Sequence, residues 1–427
     1  MNIRLRKAKI LSLHTLLFVL YNFYYISGYS SKIHNYVIVL LFVLWNILTL
    51  MEDRAAYSYA INSYCFLSIL SFLTFYIITS IFTASLTYTL EYVIIFLCLY
   101  GTAIQYRYYS YRNNAEKQRF VVVGILTAFF VFSITAIIFY TIYPSAARTL
   151  ASDFYAFDNI AIGGGYSIAI GASMLSVYLF ELLRRKGLLI GRTRVLAIVF
   201  FVLLEFLIIK TESTTTLIAN FFGIVIGIIN SMYVNNKNRS TNRLVISILV
   251  FSVAIIILFN INEIGDYVVT HTAERLNDVL FRRFNRIGNK LLYFGTGYNS
   301  ANYVDERLET IVQSWNTFLK HPIIGVGYSC GNIYSELGEV GVGLHSELFD
   351  ALAQFGIIGF IPWSGIFITS LKKQKSINKC KGWKYTLLML LIFNPFRTYH
   401  GYIVAFFLIP MLENLIEQRY NNHEEEA

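Results

Sequence analysis

The chain has 427 residues, of which 56% are hydrophobic and 14% charged, and its mean hydropathy is +0.55. So much apolar surface does not fit inside one globular core, which excludes a single soluble domain and points to an all-α polytopic membrane protein. The formal net charge of +10 is then read as membrane orientation, and no nucleic-acid partner is expected.

The chain opens with Arg4-Leu5-Arg6-Lys7-Ala8-Lys9 before an apolar run. No small-residue cleavage site follows, so this run is expected to be the first span. A crossing needs about 20 apolar residues. Such stretches fall near 10–27, 35–51, 61–82, 88–106, 120–142, 161–183, 195–210 and 215–233, then near 244–262, 346–369, 385–397 and 400–416. That makes 12 transmembrane helices. Between the last two, Asn394-Pro395-Phe396-Arg397-Thr398-Tyr399-His400-Gly401 is either a turn separating two short spans or the kink of one helix.

Lys and Arg collect on alternate loops, as expected of cytoplasmic ones. One set holds Arg107, Arg112, Lys117 and Arg119, then Arg184, Arg185 and Lys186, then Lys372 to Lys384. The other face has Lys32, Arg148, Lys210 and Arg397 outside one long loop. The expected organisation is nine helices over 1–262, an extracytoplasmic loop over 263–344, three helices over 345–418 and a cytoplasmic acidic tail over 419–427. Both termini are expected in the cytoplasm of a cell whose plasma membrane holds the chain.

The long loop shows helical period twice. Leu276, Leu280, Phe284, Ile287 and Leu291 fall on one face, with Arg275, Arg282 and Arg286 on a separate stripe. Leu308, Ile311, Val312, Trp315 and Leu319 form a second apolar stripe, which ends at His321-Pro322. Polar chemistry gathers from Arg307 through this helix to His345-Ser346-Glu347, where an apolar helix begins.

Each of these features also has a plain structural explanation. His345 beside Ser346 fits an ordinary helix start, His321 before proline fits a turn, and the arginine stripe fits a face on lipid headgroups. Glu91, Glu205 and Asp350 fall inside spans, where a charge is costly. Cys65, Cys98, Cys330 and Cys380 are scattered without the spacing of a disulfide framework, and no His-Glu-x-x-His or Asp-x-Asp motif is present. No metal and no cofactor are expected.

Arg307, then Trp315, then His321-Pro322-Ile323-Ile324-Gly325-Val326-Gly327, then His345 opening a helix with Gly356-Ile357-Ile358-Gly359, resembles the signature of the O-antigen ligase and Wzy-type polymerase superfamily. The resemblance implies a metal-independent glycosyltransferase of the bacterial inner membrane. Its donor would be an undecaprenyl-diphosphate-linked oligosaccharide, its surroundings the lipid bilayer, and a chain-length regulator protein its partner. Carried over by position, the family histidine falls on His345 as acceptor base and the family arginine on Arg307 as diphosphate anchor.

Two positions depart from the family pattern. Ser346 stands where Asn commonly follows the histidine, and Thr214 stands where an earlier outer turn often has a basic residue. Lys210, one turn away, is the candidate substitute.

The chemistry asks for the same residue types. A neutral imidazole accepts a hydroxyl proton near neutral pH, and guanidinium groups stabilise a departing diphosphate. Arg307 leads these candidates for substrate binding, followed by Arg275, Arg282 and Lys210. The expected activity is polymerisation of carrier-linked repeat units into O-antigen or capsular polysaccharide. A ligase that transfers glycan to lipid A core is the first alternative, and a flippase for the lipid-linked oligosaccharide is the second.

Overall fold

The computed structural model describes residues 13–28, 32–81, 86–111, 114–143, 166–185, 189, 191–211, 213–234, 305–327, 341–372, 380–394, 396 and 398–425. The expected span at 244–262 and the arginine stripe with Arg275 and Arg282 lie outside these residues. Among the described residues the chain is helical throughout, with no strand.

The helices are α1 (Leu13–Ile26), α2 (Lys32–Glu52), α3 (Arg54–Ile61), α4 (Tyr64–Ile81), α5 (Leu86–Ser110), α6 (Ala115–Ile142) and α7 (Tyr166–Arg184). After them come α8 (Arg192–Lys210), α9 (Thr214–Val234), α10 (Asp305–Lys320), α11 (Glu347–Lys372) and α12 (Gly382–Phe393). The last rod is α13 (Tyr399–Ile403), a π-helical turn (Val404–Leu408) and α14 (Ile409–Glu425). Among the described residues, five helices are long and apolar enough to cross a membrane, or six if the bent pair α2 and α3 counts as one. The chain is therefore polytopic, while α1, α4, α9 and α12 are shorter apolar helices. Asn394 is extended, at φ −147° and ψ 147°, so α12 and the rod beginning at Tyr399 are separate helices.

Local sequence sets the helix starts. Asn114 accepts a hydrogen bond from the Lys117 amide at 3.2 Å and Asp53 from the Ala56 amide at 3.1 Å, each satisfying a donor that a helix N-terminus leaves over. The bend of 119° between α2 and α3 falls at that Asp53 cap.

α7 runs through the middle of the bundle, buried along most of its length, against α8, α9, α12 and α13. Two carboxylates, Glu181 buried and Glu205 partly buried, tie it there. Glu205 of α8 accepts from Asn220 of α9 at 2.9 Å and from Ser176 of α7. Glu181 of α7 accepts from Asn230 of α9 at 3.2 Å and from the Gly382 amide of α12 at 3.0 Å. A polar group in hydrocarbon must find partners inside the protein, so these carboxylates fix which helices lie side by side.

α11 is where the fold departs from a plain bundle. Its helical path is broken at Gly356, with φ 56° and ψ −169°. The freed backbone groups are taken by His321-Pro322-Ile323-Ile324-Gly325-Val326-Gly327. The amides of Val326 and Gly327 donate to the carbonyls of Ala353 and Gln354 at 3.0 and 2.9 Å. The amides of Ile357 and Ile358 donate to the carbonyls of Pro322 and Ile323 at 2.8 and 3.1 Å. A methyl group on Gly325 would meet the Gln354 carbonyl oxygen at 2.4 Å, and one on Gly356 would meet the Ile323 carbonyl carbon at 2.5 Å. The two backbones touch, and only glycine permits it. Phe355, next to the break, is locked edge-on against Phe72 of α4 with ring centroids 5.0 Å apart, and Phe72 packs the same way on Phe96 of α5 at 5.4 Å.

Gly356→Ala is therefore expected to cost more than about 2 kcal/mol, from left-handed strain plus a backbone clash. Gly191→Ala, at φ +55° with nothing within 4 Å, is expected to cost only about 1 kcal/mol. Thermal unfolding of the two variants in detergent measures the difference, and equal losses would mean that the inserted loop does not hold α11.

Candidate functional site

The site is built where α10, the segment 341–346 and the start of α11 meet. Ser346 caps α11. Its hydroxyl accepts from the Phe349 amide at 3.2 Å, and its carbonyl accepts from the Asp350 amide at 2.9 Å. The Asp350 carboxylate returns to accept from the Ser346 amide at 3.1 Å and takes the Ser314 hydroxyl at 2.6 Å. Ser314 also accepts from the Gly343 amide at 2.9 Å. One turn further along α10, Thr317 accepts from the Gly341 amide at 3.2 Å. Ser314, Thr317, Ser346 and Asp350 are all buried. The far side of the junction is held by α12, where the Asn394 carbonyl accepts from the Glu347 amide at 3.1 Å.

His345 sits inside this frame, half-buried, one residue before the cap. Leu344, just before it, has φ +57° and is the one non-glycine residue with positive φ among the described residues. Such a conformation costs about 1–3 kcal/mol for a branched side chain and persists only when its surroundings over-determine it. The Ser314 and Asp350 hydrogen bonds on either side of Leu344 supply that constraint. His345 is thus delivered by a strained turn clamped at both ends.

Arg307 lies in the first turn of α10, and its backbone is described. It is seven residues before Ser314, about two helical turns along the chain. Thr310, between them, touches the 341–346 segment: a methyl group on Gly343 would meet the Thr310 carbonyl oxygen at 2.1 Å. α10 and the frame around His345 therefore form one unit. Lys210 does not take part in the stitching. It ends α8 with its Nζ 5.5 Å over the ring of Phe206 on the same helix. His321 is exposed, and its carbonyl accepts from the Gly325 amide at 3.1 Å, a turn-forming position.

The apolar stripe of α10 faces outward. Val312 is 53% exposed, Trp315 41% and Leu319 56%, while the buried face carries Ser314 and Thr317. Trp315 reaches Phe349 of α11 edge-on at 5.9 Å, which closes the junction on that side. Sequence periodicity found the stripe but not the polar face, and it gave no role to Ser314, Thr317 or Leu344. The available signal was Ser346 followed four residues later by Asp350, a near-relative of the reciprocal helix cap.

Residues 196–364 match the family model described as O-Antigen ligase. The match covers most of α8, all of α9 and α10, the inserted loop, His345 and α11 as far as Ser364. It supports the O-antigen ligase and Wzy-type superfamily for this chain, and with it an enzyme-type activity on lipid-linked glycans in a membrane. No curated protein matches the chain.

Because Ser314 and Asp350 share one buried hydrogen bond to a carboxylate, Asp350→Ala and Ser314→Ala are each expected to cost about 1–3 kcal/mol. A double-mutant cycle on unfolding should give a coupling of about 1 kcal/mol or more. Losses that simply add would show that the two side chains do not act together.

Proposed function

We propose, from the O-antigen ligase and Wzy-type superfamily that the match supports, that this protein polymerises oligosaccharide repeat units carried on undecaprenyl diphosphate. The observation that supports the reading is the stitching of α10, the helix whose first turn holds Arg307, to the segment that carries His345 by Ser314, Thr317 and Asp350. In this reading the acceptor hydroxyl attacks the anomeric carbon of the donor sugar. The new glycosidic bond forms as the bond to the diphosphate oxygen breaks, and that oxygen keeps the electron pair. The hydroxyl proton passes to the His345 imidazole, and the growing diphosphate charge is met by Arg307, with Arg275 and Arg282 as further anchors. Trp315, partly exposed beside this junction, offers a ring on which a sugar can stack.

Polymerase is preferred to ligase on the two departures from the ligase-like pattern, Thr214 and Ser346. A flippase is disfavoured because the motif residues, from Arg307 to His345, gather in one stretch of the sequence at the start of α11.

Reconstituted protein supplied with the carrier-linked repeat unit and no other acceptor is expected to give a size ladder. His345→Ala should lower the rate by about 10²–10⁴-fold, the usual size of a general-base contribution. Arg307→Lys should retain less than about a tenth of the rate, because a point charge does not reproduce the paired hydrogen bonds of a guanidinium. Transfer that starts only on adding lipid A core, as a single step, would make the protein a ligase. A folded His345→Ala variant with full activity would remove the proposed base.

A further inference from the structure

The opposite end of the bundle holds a second polar recess. It opens between α3, the start of α4, the ends of α5 and α11, and α14, with a volume of about 200 Å³. Arg107 lines it together with Tyr59, Ser110, Thr369, Ser370 and Asn414, and no carboxylate does so among the described residues. The Nε of Arg107 is buried and has no hydrogen-bond partner among the described residues. Its guanidinium lies 5.2 Å from the centre of the Tyr59 ring, which holds the group in place without using its donors. Ser110 and Thr369 spend their hydroxyl protons on the carbonyls of Arg107 and Gly365, at 3.1 and 2.7 Å. Among the lining residues, the buried side-chain donor left without an acceptor is therefore Nε of Arg107.

A buried guanidinium donor left without an acceptor is costly, and an anion with paired oxygens relieves it. The depth of the recess identifies which anion. Glu347 and Thr369 stand near opposite ends of α11, a helix long and apolar enough to cross a bilayer core of about 30 Å. With His345 at one membrane surface, the recess lies at the other, at headgroup level. The adjoining sequence adds Lys372, Lys373, Lys375, Lys379, Lys381 and Lys384, a basic run of the kind that attracts anionic lipid.

We propose that this recess binds the phosphate of an anionic phospholipid headgroup, with Arg107 as the anchor and Tyr59 as its support. The site is separate from His345 and does not depend on the glycan reaction.

The test is native mass spectrometry of the full chain in detergent with phosphatidylglycerol, with phosphatidylcholine and with inorganic phosphate. Wild-type protein is expected to retain phosphatidylglycerol at least tenfold better than phosphatidylcholine, and Arg107→Gln should lose that preference. Ser110→Asp leaves the arginine in place but adds a carboxylate to the recess, and it should lose the preference too, which keeps the test open if Arg107→Gln does not fold. Inorganic phosphate at millimolar concentration should not displace the lipid. Displacement by phosphate that depends on Arg107 would overturn the lipid as ligand in favour of a soluble phosphate compound. Unchanged retention in folded Arg107→Gln and Ser110→Asp would overturn the site itself. Glycan transfer by these variants is expected to stay within about twofold of wild type, so failure here and failure at His345 are told apart.

Discussion

The structure depends on a broken helix being mended by a loop. Gly356 interrupts α11, and inside a membrane each backbone group left over would cost several kcal/mol if it met only hydrocarbon. Four hydrogen bonds from the segment 322–327 take up those groups, and the glycines at 325 and 356 let the two backbones come within contact distance. That loop is also the end of α10. Fixing it fixes the helix, and the helix fixes the segment that carries His345. The His-Pro-x-x-Gly-x-Gly run is thus explained by backbone geometry, with its histidine side chain exposed and its carbonyl in the turn.

A second constraint is the polar face of α10. In water, the apolar stripe of an amphipathic helix turns inward, whereas α10 buries Ser314 and Thr317 and exposes Val312, Trp315 and Leu319. On α10 the polar face is thus the one that holds the neighbouring segment, through the bonds of Ser314 to Asp350 and Gly343 and of Thr317 to Gly341. The same logic places Glu205 against Asn220 and Ser176, and Glu181 against Asn230 and the start of α12. Among the described residues, Glu181 and Glu205 thus act as joints between helices.

Much of the helical layout was legible in the sequence, because an apolar run of span length permits few other structures. Stretches expected to cross near 120–142 and 346–369 are helices at Ala115–Ile142 and Glu347–Lys372. The break inside α11 was not legible, since Phe355 to Phe367 reads as one apolar run in which Gly356 is an ordinary helical glycine. Its cause lies 31 residues earlier, at Gly325, and no local pattern connects them. The Ser314 to Asp350 hydrogen bond was hidden for the same reason. Arg307 and His345 were singled out by motif alone, and Lys210, chosen by position in the sequence, ends α8 over the ring of Phe206 on its own helix.

The central claim is that the α10 face with Arg307 and the strained turn with His345 frame one place for a carrier diphosphate and an acceptor hydroxyl. A cryo-electron microscopy map of the protein with undecaprenyl diphosphate measures this most directly. The account expects the diphosphate oxygens at hydrogen-bond distance from the Arg307 guanidinium, about 3 Å, with the His345 imidazole turned toward the side where the sugar leaves. A diphosphate seated at Lys210, with His345 turned into the protein, would contradict it.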